Sequence, residues 1–139
     1  MVDVHSSEIR SKNMRAIKAK DTTPELLVRK NLFKRGFRYR LHKQGLPGKP
    51  DIVLPKYKLV IFVNGCFWHG HDCSLFKLPK TNTAFWKEKI NKTKERDHNS
   101  YYLLRKHGWK VFVIWECVTK TTNVLDAKIE KLSMSIKSM

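Results

Sequence analysis

Two short runs constrain the fold more than anything else in the chain: K-L-V-I-F-V at 58–63 and W-K-V-F-V-I-W at 109–115. Their length suits strands, and their near-continuous apolar character suits strands covered on both faces. Such strands need helices above and below the sheet, which makes the expected class α/β. D-I-V-L at 51–54 reads as a further strand, and Pro55-Lys56-Tyr57 is a connection short enough for a hairpin to the 58–63 strand. F-R-Y-R-L at 37–41 is also strand-like, and H-K-Q-G-L-P-G-K-P at 42–50 is a loop by composition.

The helices follow from capping signals and periodicity. In T-T-P-E, Thr22 can cap, Pro24 suits the first turn and Glu25 completes a capping box, with Gly36 as the stop. A long helix is expected from about Thr83 to His107, ended by Gly108. Along it Trp86, Ile90, Thr93, Asp97, Tyr101 and Leu104 share one face, so Asp97 is a carboxylate on an inward stripe. A last amphipathic helix carries Leu125, Ile129, Leu132 and Ile136. The order is α-β-β-β-α-β-α: a mixed sheet flanked by helices. Residues 1–20 read as a basic arm and 21–139 as a single domain.

The formal net charge of +17, from 29 Lys plus Arg against 12 Asp plus Glu, predicts a polyanionic partner, most simply nucleic acid. No run of eighteen apolar residues is present, and the opening residues lack a signal-peptide pattern, so a cytoplasmic protein with no membrane partner is expected.

The stretch N-G-C-F-W-H-G-H-D-C at 64–73 carries two of the three cysteines; Cys117 follows a separate strand. An odd count argues against a disulfide framework. Three cysteines and one histidine suit a structural zinc site made by Cys66, Cys73, Cys117 and either His69 or His71, between which spacing does not choose. Asp51, at the start of a strand in P-D-I-V-L, is placed as nucleases place a ligand for a hard cation such as Mg²⁺. Asp97 suits orienting a histidine or binding an arginine, and Glu25 is most economically a cap.

Taken together, S-K-N-M-R-A-I-K-A-K-D-T at 11–22, L-P-G-K-P-D-I-V at 46–53, V-I-F-V-N-G-C-F-W-H-G-H-D-C at 60–73, F-W-x-x-K-I at 85–90, E-R-D at 95–97 and G-W-K-V-F-V-I-W-E-C at 108–117 closely resemble the very-short-patch repair (Vsr) DNA mismatch endonucleases. The resemblance implies a restriction-endonuclease-like α/β core with a structural zinc site. It also implies an Mg²⁺-dependent endonuclease that nicks double-stranded DNA 5′ to the thymine of a T·G mismatch. In that family a histidine of the metal loop, here His69, assists catalysis, supported by Asp97, while His71 joins Cys66, Cys73 and Cys117 around zinc. Asp51 and the Val63 carbonyl are the implied Mg²⁺ ligands, and Glu25 helps to hold the hydrated metal. Phe67, Trp68 and Trp86 resemble residues that enter the stacked DNA beside the mismatch, with Met14 approaching from the other groove and Arg15 and Lys89 as DNA contacts.

Two positions depart from the family's pattern. Val63 often is threonine, whose backbone role valine keeps, and Asn64 frequently is histidine, which asparagine cannot match as a titrating group. A monomer is expected, and mismatch-repair proteins are implied partners. The alternatives are a nuclease of the same core with a different DNA target, and a zinc-containing DNA-binding protein without catalysis.

Overall fold

The computed structural model describes residues 22–137. The basic arm, with Met14 and Arg15, therefore lies outside the described residues.

Helix α1 (Thr23–Lys34) begins where Thr22 Oγ1 accepts the backbone N–H of Glu25 at 3.3 Å. Strand β1 (Arg40–Leu41) leads through the 42–50 loop to β2 (Ile52–Leu54), which a 3₁₀ turn at Pro55–Tyr57 joins to β3 (Leu59–Asn64). The long helix α2 (Thr83–Lys106), strand β4 (Lys110–Trp115), a one-turn helix α3 (Glu116–Thr119) and α4 (Thr122–Lys137) follow. The sheet order is β1-β2-β3-β4, antiparallel from β1 to β3 and parallel between β3 and β4.

Side-chain alternation divides the core in two. Ile52, Leu54, Leu59, Ile61 and Ile114 point to one side, where Val28 and Leu32 of α1 and Leu125, Ile129 and Leu132 of α4 cover them. Val53, Val60 and Phe62 point to the other side and pack on Leu104 of α2. Each fully buried aliphatic side chain contributes about 1.5–3 kcal/mol, so β2 and β3 form a rigid platform. The non-exposed positions of α2 include Trp86, Ile90, Thr93, Asp97, Tyr101 and Leu104, the stripe that the sequence predicts.

Three expectations need correction. The 37–41 strand shrinks to Arg40–Leu41, because residues 36 and 37 close the end of α1: Gly36 donates to Phe33 O and Phe37 to Leu32 O, both at 3.0 Å. Of the two apolar runs, β3 is paired on both edges and buried along most of its length, whereas β4 is an edge strand of the sheet among the described residues, half-covered or exposed apart from Ile114. Finally, Cys117 sits in a helical turn not expected from the sequence. Among the described residues no helix is long and apolar enough to cross a membrane.

Candidate active site

The topology gathers the polar residues at one end of the sheet. Parallel strands β3 and β4 finish side by side, with Asn64 opposite Trp115, and antiparallel β2 begins beside the end of β3. The segment leaving β3, the turn leaving β4 and Asp51 just before β2 therefore converge.

The first cluster is the Cys/His knot. Ligand atoms of Cys66, His71, Cys73 and Cys117 lie within 4.8 Å of one another. His71 Nδ1 is 3.6 Å from both Cys66 Sγ and Cys117 Sγ. The backbone N–H of Cys117 donates to Cys66 Sγ at 3.4 Å, and Trp115 stacks on the His71 ring at 4.1 Å between centroids. Burial pushes the Cys66 thiol up to about 12, and the adjoining Cys73 and Cys117 sulfurs add to this. Three sulfurs and an imidazole packed so closely fit a bound metal ion, whose charge would stabilise the thiolates.

Gly70 allows the same loop to face two ways. Its φ of +64° is left-handed, and an added Cβ would lie 2.7 Å from Ile90 Cγ2 of α2. The close approach lets His69 reach α2 while His71 faces the cysteines. His69 Nδ1 lies 2.6 Å from Asp97 Oδ2, and both line a cavity of about 300 Å³ with Tyr101 and Trp115. The ambiguity between the two histidines is thus resolved in space: His71 is in the knot, His69 is on the carboxylate. Asn64 Nδ2 donates to Tyr101 Oη at 2.9 Å. Burial, the Asn64 hydrogen bond notwithstanding, pushes the Tyr101 phenol up to about 12, and the charges of Asp97 and Asp51 push the same way. Its hydroxyl stays neutral near pH 7.

The second cluster lies under α1. Asp51 Oδ2 accepts the backbone N–H of Val63 at 2.7 Å, which fixes the carboxylate against the end of β3. Burial pushes the Asp51 carboxyl up to about 7; the Val63 hydrogen bond opposes the rise and Glu25 reinforces it. Glu25 is only 2% exposed, so its carboxylate does not close a capping box at the surface. It turns inward to bond Arg29, and His42 Nε2 lies 3.4 Å from Glu25 Oε2. Ligand atoms of Glu25, His42 and Asp51 all lie within 4.8 Å of one another. Two closely spaced carboxylates, one of them buried, fit a hard divalent cation, whose charge would favour the ionised form of Asp51.

The aromatic residues form a third feature. Phe67 lies 5.1 Å from Trp68 and 5.7 Å from Trp86, centroid to centroid, and Trp68 is 46% exposed. Lys89 Nζ sits over the Trp68 and Trp86 rings at 5.8 and 5.6 Å. Phe85, 57% exposed, adds a ring 5.4 Å from Trp86. A surface of exposed rings edged by a cation can stack on flat aromatic groups such as bases.

Sequence reasoning missed His42, Arg29, Tyr101 and Phe85 as members of these clusters. Tyr101 carried a signal, being four residues beyond Asp97 on the inward stripe. His42 carried none, for only the pairing of β1 with β2 places it beside Asp51, whose carbonyl accepts the His42 N–H at 3.2 Å.

Comparison with known proteins adds an independent line. Residues 2–75 match the family described as DNA mismatch endonuclease Vsr. The chain is 48% identical over 120 residues to the DNA mismatch endonuclease Vsr of Escherichia coli (strain K12), covering 86% of this chain and 77% of that one. It is also 48% identical over 137 residues to the type II nicking enzyme V.NmeAIP of Neisseria meningitidis serogroup A, covering 99% and 98%. Among solved structures, the homing endonuclease I-Bth0305I catalytic domain superposes with a TM-score of 0.57 at 24% identity, covering 84% of this chain and 98% of that one, a likeness of fold.

Proposed function

The chain belongs to the family of Vsr DNA mismatch endonucleases, and from that premise we propose that it nicks duplex DNA on the 5′ side of the thymine in a T·G mispair. This is the opening step of very-short-patch repair. The observation that carries the mechanism is the 2.6 Å contact between His69 Nδ1 and Asp97 Oδ2, which line a cavity at the end of the sheet where Asp51 is bonded to Val63. The core is read as restriction-endonuclease-like, which the mixed sheet and the nuclease fold neighbour support.

In this reading Asp97 accepts the Nδ1 proton of His69, which leaves Nε2 as the basic atom facing the cavity. His69 Nε2 takes a proton from the water that attacks phosphorus. The new bond is water oxygen to phosphorus, and the bond broken is phosphorus to the 3′ oxygen. Asp51, the Val63 carbonyl and Glu25 are the groups that would hold Mg²⁺. When bound there, the ion supplies Lewis-acid polarisation of the phosphate and stabilises the leaving oxygen. Asn64 holds Tyr101, so that hydroxyl, neutral through the working pH range, can donate to a phosphate oxygen.

The knot takes zinc in this reading. Ligand-to-ligand edges in a tetrahedral Cys/His zinc site are about 3.5 Å, close to the 3.6 Å separations of His71 Nδ1 from two of the sulfurs. Phe67, Trp68 and Trp86 enter beside the mispair, where unstacking costs least. Lys89, and Met14 and Arg15 of the arm, contact the DNA, whose phosphates the +17 charge attracts.

Strand-resolved cleavage of duplexes bearing T·G, T·A or a branched junction, with randomised flanks and with or without Mg²⁺, tests the proposal. A single Mg²⁺-dependent nick 5′ to the mispaired thymine is expected. Equal cleavage of T·A duplexes or junctions would transfer the activity to another DNA structure, and tight binding with no product would make the chain a binding protein.

A further inference from the structure

The cluster under α1 contains a nitrogen donor that a purely oxygen-liganded Mg²⁺ site does not need. His42 Nε2 lies 3.4 Å from Glu25 Oε2, and both belong with Asp51 to a set of ligand atoms lying within 4.8 Å of one another. In an octahedral site with metal–ligand bonds of about 2.1 Å, donors are about 3–4 Å apart. The His42 imidazole therefore falls where a third protein ligand would be, beside two carboxylates.

Arg29 bears on which atom of that imidazole is available. Its Nη2 lies 3.1 Å from His42 Nε2, and the same nitrogen bonds Glu25 Oε2. An arginine guanidinium is always a donor, so the contact makes His42 Nε2 the acceptor and directs its lone pair into the cluster. That is the form in which imidazole binds a metal. The guanidinium thus places one positive charge against two of the three donors, where a divalent ion would place two.

From this we infer that His42, with Glu25 and Asp51, forms a mixed nitrogen–oxygen cation site that favours a first-row transition ion such as Mn²⁺ over Mg²⁺, and that the Arg29 guanidinium is the displaceable stand-in for that ion. The inference rests on the Asp51 metal assignment above and deepens it. Mg²⁺ is a hard ion that prefers oxygen and gives up water reluctantly, whereas imidazole suits transition ions. Arg29 is long and unbranched, so it can swing away from Glu25 and His42 without moving α1.

Electron paramagnetic resonance of Mn²⁺ added to the zinc-loaded full chain tests this, with Mg²⁺ affinity measured by competition. Wild-type protein is expected to bind Mn²⁺ at least about tenfold more tightly than Mg²⁺ and to show electron-spin-echo modulation from a histidine nitrogen. His42→Asn, chosen because asparagine tolerates the left-handed φ of +48° at this position and is too short to reach the ion, should abolish the nitrogen signal. It should also lower Mn²⁺ affinity about tenfold and leave Mg²⁺ affinity within about twofold. Arg29→Gln should raise the affinity for both ions. Unchanged Mn²⁺ preference or a surviving nitrogen signal in His42→Asn overturns the ligand role, and weaker or unchanged binding in Arg29→Gln overturns the stand-in. Asp51→Asn separates the two readings. If it abolishes binding of both ions while His42→Asn alters neither, the proposed reaction stands without His42; if it leaves Mn²⁺ binding intact, the Asp51 assignment itself falls.

Discussion

The knot of Cys66, His71, Cys73 and Cys117 and the cluster of Glu25, His42 and Asp51 occupy the same end of the sheet but are assembled in opposite ways. The knot takes three of its members from one short loop and the fourth from a turn 51 residues beyond Cys66. Apart from the fully buried Cys66 its members are only partly covered, and they fasten a loop to the end of an edge strand. Glu25, His42 and Asp51 come from a helix, a loop and the entry to a strand, and they meet only after α1 has packed on β2 and β3. One cluster helps to make the fold, and the other is made by it. Removing a member should therefore damage the two regions in different currencies: structure for the knot, chemistry for the carboxylates.

The sharpest way to break that contrast is to substitute one residue in each. Asp51→Ala should lower nicking by roughly a thousandfold or more, since a metal's contribution of several kcal/mol is lost, while T·G duplex binding in a gel-shift assay stays near wild type. Cys117→Ser should instead reduce soluble yield, metal content and melting temperature. A soluble, fully stable Cys117→Ser protein, or an Asp51→Ala protein that still nicks, would dissolve the distinction.

A smaller effect is expected between the two clusters, at the His69–Asp97 pair. Asp97→Asn should slow single-turnover nicking by about a hundredfold or more, in the range of general acid–base contributions, with little change in stability because His69 and Asp97 are both partly exposed. A loss of thermal stability without a rate change would make the pair a strut. Next in size, Gly70→Ala must accommodate both a left-handed backbone and a Cβ 2.7 Å from Ile90. A cost of about 1–3 kcal/mol, read by denaturant unfolding, would affect both clusters, since Gly70 separates His69 from His71.

The smallest effect is a pH dependence. Asp51 has its folded-state value raised from 3.8 to about 7, so its contribution to stability is complete below the lower value and is lost as pH rises through the upper one. Zinc-loaded protein without added Mg²⁺ should accordingly lose stability between about pH 4 and 7, by a few kcal/mol at most. Adding Mg²⁺ should offset the loss near neutral pH. Melting curves across pH with and without the ion measure it, and a profile that Asp51→Asn leaves unaltered would assign the slope elsewhere.

Legibility in the sequence followed how local each signal was. The 51–63 hairpin, β3 and α2 were readable because apolar runs and three-to-four-residue spacing express burial directly. The four knot residues were readable as types, while the choice between His69 and His71 needed either the family resemblance or the coordinates. β4 misled because its apolar side chains resemble those of a central strand, whereas hydrogen-bond pairing on its outer edge leaves no trace in residue type. Glu25 misled for another reason: T-T-P-E is a sound capping pattern, and Thr22 does cap, but burial beneath α1 redirected the glutamate inward. His42 could not be found, since its partner atoms belong to residues that only tertiary packing brings near.

The stacking of Trp115 on His71, with ring planes 10° apart, gives the chain an optical gauge of its own. An indole lying flat against an imidazole should change its emission when that imidazole takes up a cation. With the other three tryptophans replaced by phenylalanine in combination or singly, that light would follow the filling of the knot in real time, with no added dye.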